Sequence, residues 1–159
     1  MEQPAPMKVA PDSPGARRLL ELSDRYMAEL YPPASNHLED EQALLQPHVC
    51  FMGIAAQGEL IACGAVKQMR DDCAYGEIKR VFVLPAHRGQ GLARRIMQAL
   101  EAALRQRSIC IARLETGILQ PEALALYRAL GYRERGPFGN YTRDPLSVFM
   151  EKTIDGNES

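Results

Sequence analysis

Apolar positions recur along this chain in two rhythms. Between Leu92 and Gln106 they return at helical spacing, with Leu92, Ile96, Met97, Leu100, Ala103 and Leu104 on one face and Arg94, Arg95, Gln98, Glu101 and Arg105 on the other. That pattern predicts a helix packed on a sheet. Elsewhere apolar and β-branched residues run in short stretches bounded by turn formers, as strands do. Cys50 to Ala55 and Leu60 to Met69 read as a hairpin turned at Gln57-Gly58, where glycine can take positive φ. Gly76 to Leu84 reads as the next strand, Ser108 to Leu114 as the strand after the helix, and Tyr132 to Glu134 and Leu146 to Thr153 as the last two. Met7 to Ala10 reads as a short first strand. Ser13 can cap and Pro14 can open a helix running to about Leu30, and Tyr31-Pro32-Pro33 breaks it because paired prolines lack donors and force extended geometry. A short helix fits Asp40 to Leu45. Pro121 opens another, whose Ala123, Leu126, Tyr127 and Leu130 share a face until Gly131 stops it. The predicted order, β-α-α-β-β-β-α-β-α-β-β, is an α/β sandwich with a mixed, largely antiparallel central sheet flanked by helices.

Length and charge narrow the class. The 159 residues suit one domain, expected over 7–153, with flexible ends at 1–6 and 154–159. With 19 basic against 20 acidic residues there is no electrostatic footprint of a nucleic-acid binder. Apolar runs are broken by charge or proline before the roughly 20 residues of a membrane span, so no membrane partner is expected. Met1 to Pro6 lacks the basic and apolar regions of a signal peptide, which leads to a cytoplasmic expectation. Cys50, Cys63 and Cys110 fall in apolar stretches and are expected to be packed thiols, whereas Cys73 falls in a polar loop. His37, His48 and His87 show no ligand spacing, and no metal is expected.

The stretch from Val81 to Ala93 changes the picture from fold to chemistry. A β-branched strand leads through Pro85 and Arg88 into Gly89 and Gly91, which open the helix. Glycines there let several unpaired N–H groups approach one anion at the positive end of a helix, and Arg88 adds a bidentate cation. The expected guest is a phosphate group. No Gly-Lys-Ser/Thr follows, and the third glycine of a dinucleotide fingerprint is missing, so neither a nucleotide triphosphatase nor a nicotinamide enzyme fits. The segment resembles the coenzyme A loop of the GNAT acetyltransferase superfamily, Arg/Gln-x-x-Gly-x-Gly/Ala, met by Arg88, Gly91 and Ala93. Ala123 to Tyr132 is similar to a second signature of that family, Ala-x-x-Leu-Tyr-x-x-x-Gly-Phe/Tyr. One departure stands three residues before Ala123, where the family often has Asn and this chain has Gln120.

The resemblance covers about residues 7 to 153 and implies a small bacterial-type N-acetyltransferase. Acetyl-CoA would be the co-substrate and a primary amine of a small molecule or amino acid the acceptor, by direct attack. It implies cofactor contacts from Val81, Val83, Arg88, Gly89, Gln90, Gly91, Leu92, Ala93, Gln120 and Tyr127. The backbones of Val81 and Val83 would pair with the pantetheine arm, and the Val81 N–H would polarise the thioester carbonyl. Periodicity alone makes Tyr127 a core residue; the resemblance makes it the acid for the departing thiolate. Glu77, eleven residues before Arg88, and Glu115 are the candidate bases. Two loops outside both signatures are expected to face the acceptor, Tyr31 to His37 with Ser35, and Phe138 to Pro145 with Tyr141. Left open are a non-catalytic acetyl-CoA-binding regulator or sensor, a protein or peptide amine as acceptor, and a homodimer.

Overall fold

Seven strands form one sheet in the order β1-β2-β3-β4-β5-β7-β6, and the β4–β5 pair is parallel while every other neighbouring pair is antiparallel. The computed structural model describes residues 5–36 and 38–154. The strands are β1 (Met7–Lys8), β2 (Val49–Ala56), β3 (Glu59–Arg70), β4 (Ala74–Val83), β5 (Ile111–Gly117), β6 (Arg133–Arg135) and β7 (Ser147–Thr153). The helices are α1 (Pro14–Leu30), α2 (Glu41–Leu44), α3 (Leu92–Gln106) and α4 (Pro121–Ala129). This is the predicted order of elements and the predicted mixed sheet.

Local chemistry accounts for most boundaries. Ser13 caps α1 by accepting from the Ala16 N–H, Asp40 caps α2 through Ala43, and Pro14 and Pro121 stand in the first turns of α1 and α4. At the β2–β3 turn both Gln57 (φ 54°) and Gly58 (φ 77°) are left-handed, as a two-residue hairpin turn requires. The strand expected at Ser108 begins later. Ser108 itself has φ 59° and closes the turn after α3, so β5 starts at Ile111 and continues to Gly117. Cys110 therefore lies just outside the strand and is exposed, contrary to the packed position expected for it, while Cys50 and Cys63 are buried.

The core lies between the sheet and its two long helices, with α1 against β3 and β4 and α3 against β2, β3 and β4. Leu92, Ile96, Met97, Leu100 and Leu104 of α3 are buried as the periodicity predicts. Gly64 permits the close approach, since a Cβ there would stand 2.5 Å from Ile96 Cγ2. Glu101 departs from the pattern. Expected on the solvent face, it is 3% exposed, because Tyr132 donates to it at 2.8 Å and Lys152 at 2.8 Å. A buried carboxylate is tolerable with such partners and would be costly without them. Among the described residues no helix is long and apolar enough to cross a membrane.

Leu100 is fully buried under α3. Leu100→Ala should lower unfolding free energy by about 2–5 kcal/mol through lost transfer energy and a residual cavity, read as a shift of the urea midpoint at unchanged slope.

Candidate active site

β4 builds the site because it stops being an ordinary strand halfway along. Its ladder with β5 comprises Gly76–Ala112, Glu77–Arg113 and Ile78–Leu114 and then ends, although β4 runs on to Val83 and β5 to Gly117. On the other side the register with β3 jumps from Cys63–Phe82 to Ala65–Lys79, so Gly64 opposes both Arg80 and Val81. This is a bulge, and Arg80 carries its strain with φ 59°. The Arg80 side chain is almost wholly enclosed and reaches α1, donating to Asp24 at 2.7 Å and to the Leu20 carbonyl at 3.0 Å. The parted strands leave room for two cavities.

The larger is a groove of about 650 Å³ between α1, β4, the 87–91 loop and α4. Val81, Val83, Arg88, Gly89, Gly91, Leu92, Ala93, Gln120 and Tyr127 all line it. Gln90 is not on its wall. Gly89 (φ 80°) and Gly91 (φ 78°) are both left-handed, and a Cβ on either would meet nothing within 4 Å, so the loop encloses open space. Gly91 is the N-cap of α3 and supplies no side-chain acceptor, which leaves first-turn N–H groups for a ligand. Arg88 is oriented by its bond to the Val83 carbonyl at 3.1 Å and by stacking over Tyr26 and Phe82 at 5.2 and 5.7 Å. A groove with a cationic, amide-rich end and apolar walls can hold a long molecule carrying phosphate at one end.

The smaller cavity, of about 80 Å³, lies beyond it and is lined in part by Ser35, Glu77, Lys79, Glu115 and Tyr141. Its groups are tied together. Tyr141 donates to Glu77 at 2.6 Å, and the Lys79 ammonium lies 2.9 Å from the Tyr141 oxygen, 3.3 Å from Glu77 and 3.3 Å from Glu39. Ser147 donates to Glu115 at 2.8 Å and Ser35 to Asp144 at 2.6 Å. Burial, and then the Glu77 charge, push the Tyr141 phenol far above its ordinary range. Tyr127 borders both cavities, and burial followed by the Glu115 charge pushes its phenol up to about 12. Both hydroxyls therefore keep their protons at neutral pH.

Two residues expected at the acceptor are placed elsewhere. Tyr31 is 4% exposed and lines neither cavity; its hydroxyl accepts from the Leu119 N–H at 3.0 Å and donates to Gln120 at 3.3 Å, against Gly117, where any Cβ would collide with it. It braces the turn between β5 and α4. Phe138 is buried among Tyr75, Tyr141 and Phe149 and supports the Tyr141 ring. His37 lies outside the described residues. Sequence reasoning missed Ser23, Tyr26 and Met27 of α1, which line the groove, and Lys79 of β4. Helical periodicity marks α1 as amphipathic without saying which of its residues meet a cavity. The charged Lys79 carries no motif.

The chain matches the model of the acetyltransferase (GNAT) family over residues 16–132. It is 43% identical over 137 residues to a protein named IAA acetyltransferase from Azospirillum brasilense, covering 86% of this chain and 89% of that one. It is 30% identical to the uncharacterized N-acetyltransferase YsnE of Bacillus subtilis, covering 93% of this chain and 100% of the other. Among solved structures, a putative acyl-CoA N-acyltransferase from Klebsiella pneumoniae superposes with a TM-score of 0.81 at 38% identity, covering 96% and 98% of the two chains. An aminoglycoside 6'-N-acetyltransferase complexed with coenzyme A superposes at 0.74 over 97% and 99%, and at 18% identity that likeness speaks to the fold alone.

A tyrosine pKa raised from 10.0 to about 12 means that the hydroxyl stays protonated where a free phenol is half ionised. The difference in phenolate absorbance between wild type and Tyr127→Phe should therefore be flat through pH 10 and rise only above it. A difference signal already developed below pH 10 would contradict the enclosed setting of Tyr127.

Proposed function

The chain belongs to the acetyltransferase (GNAT) family and is an N-acetyltransferase that uses acetyl-CoA, and on that premise we propose that it acetylates the primary amine of a small molecule or amino acid by direct attack. The observation that carries this reading is the meeting of the long groove and the small polar cavity at a shared wall containing Val81 and Tyr127. The groove fits acetyl-CoA: left-handed glycines enclose open space at an uncapped helix start, and Arg88 is already oriented beside it. Gly89, Gly91, Leu92 and Ala93 hold the pyrophosphate with their backbones, and the edge of β4 from Val81 to Val83 faces the pantetheine arm. When bound, acetyl-CoA supplies the acyl thioester.

Each remaining task falls to a residue of the chain. The Val81 N–H donates to the thioester oxygen, and Tyr127 holds the proton that the leaving sulfur requires. Its elevated pKa keeps it protonated and neutral until a thiolate begins to form beside it. Glu77 takes the proton released by the amine, with Tyr141 and Lys79 fixing its carboxylate. Glu115 accepts from Ser147 and lines the same cavity, where its charge favours a cationic amine. The volume of about 80 Å³ suits a small acceptor. The name of the Azospirillum brasilense relative makes IAA a compound to include beside amines and amino acids in the test, a thiol-release assay with acetyl-CoA as donor.

Gly91→Glu should abolish acetyl-CoA binding, because it strains a left-handed position, fills the cradle and adds like charge. Equal affinities of wild type and variant in calorimetry would remove the basis for the groove assignment. Tyr127→Phe keeps the ring packing, so it should lower turnover roughly ten- to a thousandfold while leaving acetyl-CoA affinity nearly unchanged. Steady-state kinetics with the acceptor found in the panel, together with calorimetry, check both halves.

A further inference from the structure

Five residues border both cavities: Ser23, Met27, Val81, Gln120 and Tyr127. Among their polar side chains, Gln120 is engaged by the Tyr31 hydroxyl and Tyr127 has its proton to hold. Ser23 is different. It is 5% exposed, lies in the middle of α1, and its hydroxyl has no hydrogen-bond partner among the described residues. No side-chain hydrogen bond to the protein occupies it, and the residue lines both cavities, so the hydroxyl is available to a ligand held there. Alanine would pack in the same place with a higher helix propensity, so local structure gives serine no advantage.

The helix turn that carries Ser23 is tied to the residue next to Val81. Arg80, the residue before Val81, binds α1 on both sides of Ser23: the Leu20 carbonyl one turn earlier at 3.0 Å, and Asp24, the next residue, at 2.7 Å. The bulge that presents the Val81 N–H and the helix turn that presents the Ser23 hydroxyl are thus joined through one guanidinium. Lateral drift of α1 over β4 would break both contacts, so the helix turn that carries Ser23 is held in place beside the bulge.

We infer that the Ser23 hydroxyl is a second hydrogen-bond donor to the thioester carbonyl oxygen, beside the Val81 N–H. The inference rests on the acetyl-CoA assignment of the groove. During transfer the amine nitrogen forms the new C–N bond and the C–S bond breaks. One proton leaves the amine for the base, and one reaches the sulfur from Tyr127. Negative charge gathers on the carbonyl oxygen in between, and Ser23 stabilises it by donating a hydrogen bond while keeping its own proton. Fixed donors aimed at developing charge are the largest single contribution in many acyl transfers.

The test uses the full chain, acetyl-CoA isotopically labelled at its carbonyl carbon, and infrared difference spectroscopy, which requires no acceptor. In wild type the carbonyl stretch of bound acetyl-CoA should fall below that of the free thioester in buffer. In Ser23→Ala it should move part of the way back. The coenzyme A dissociation constant should stay within about threefold, the melting temperature should not fall, and turnover with an accepted amine should drop on the order of a hundredfold. A Ser23→Ala band at the wild-type frequency overturns the assignment of Ser23, whether turnover is retained or lost, and leaves the groove reading intact. A wild-type band indistinguishable from free acetyl-CoA overturns the placement of the thioester at Val81 as well.

Discussion

The parting of β4 from β5 after Ile78–Leu114 is the constraint on which the rest of the site depends. A strand that leaves its neighbour inside a sheet exposes backbone donors and acceptors that must be satisfied by something else. Here the edge of β4 past Ile78 lines the gap that the parting opens, and that gap becomes both cavities. The bulge at Arg80–Val81 sharpens the parting by turning the chain, and Arg80 holds the bulge by reaching across to Asp24 and the Leu20 carbonyl. Helix α1, the splayed strand and the loop before α3 are therefore one mechanical unit.

A second unit holds the side of the smaller cavity formed by Tyr141. Arg113 is 2% exposed on β5 and is gripped by Asp72 through two bonds of 2.8 and 3.0 Å and by Glu151 at 2.7 Å. Hydrogen bonding to Arg113 holds the Asp72 carboxyl down to about 2. Its guanidinium also stacks over Tyr75 at 4.4 Å, next to the aromatic cluster that supports Tyr141. Asp71, beside Asp72, accepts from the Gly139 N–H at 3.0 Å, so the β3–β4 turn and the 138–145 loop are pinned to one another. Arg113 is the buried partner of these pairs, and its contacts with Asp72, Glu151 and Tyr75 brace the turn and the aromatic cluster from which Tyr141 reaches Glu77 at 2.6 Å.

Legibility in the sequence followed the range of the interactions concerned. Ser13, Pro14, Gln57-Gly58 and Pro121 act within a few residues of themselves, and the elements they bound fall where the pattern predicts. Gly89, Gly91 and Arg88 form their cradle within a single loop, so its geometry could be read before any tertiary contact was known. Glu101 could not. Its burial is decided by Tyr132 and Lys152, thirty-one and fifty-one residues away. Tyr31 likewise looked like a binding residue in a loop, until contacts with Leu119 and Gln120 made it a brace.

The sequence by itself determined the order of elements, the mixed sheet and the glycine turn that opens α3, because each rests on periodicity or on backbone freedom within one short segment. Only the tertiary structure decided which residues of α1 meet β4, that Lys79 joins Glu77 and Tyr141 in one cluster, and that Ser23 lies buried on the wall between two cavities. Those outcomes depend on how far two strands part and how one helix is rotated over them. Such quantities are set by side chains distant in the chain whose contacts exist only once the sheet has closed around them.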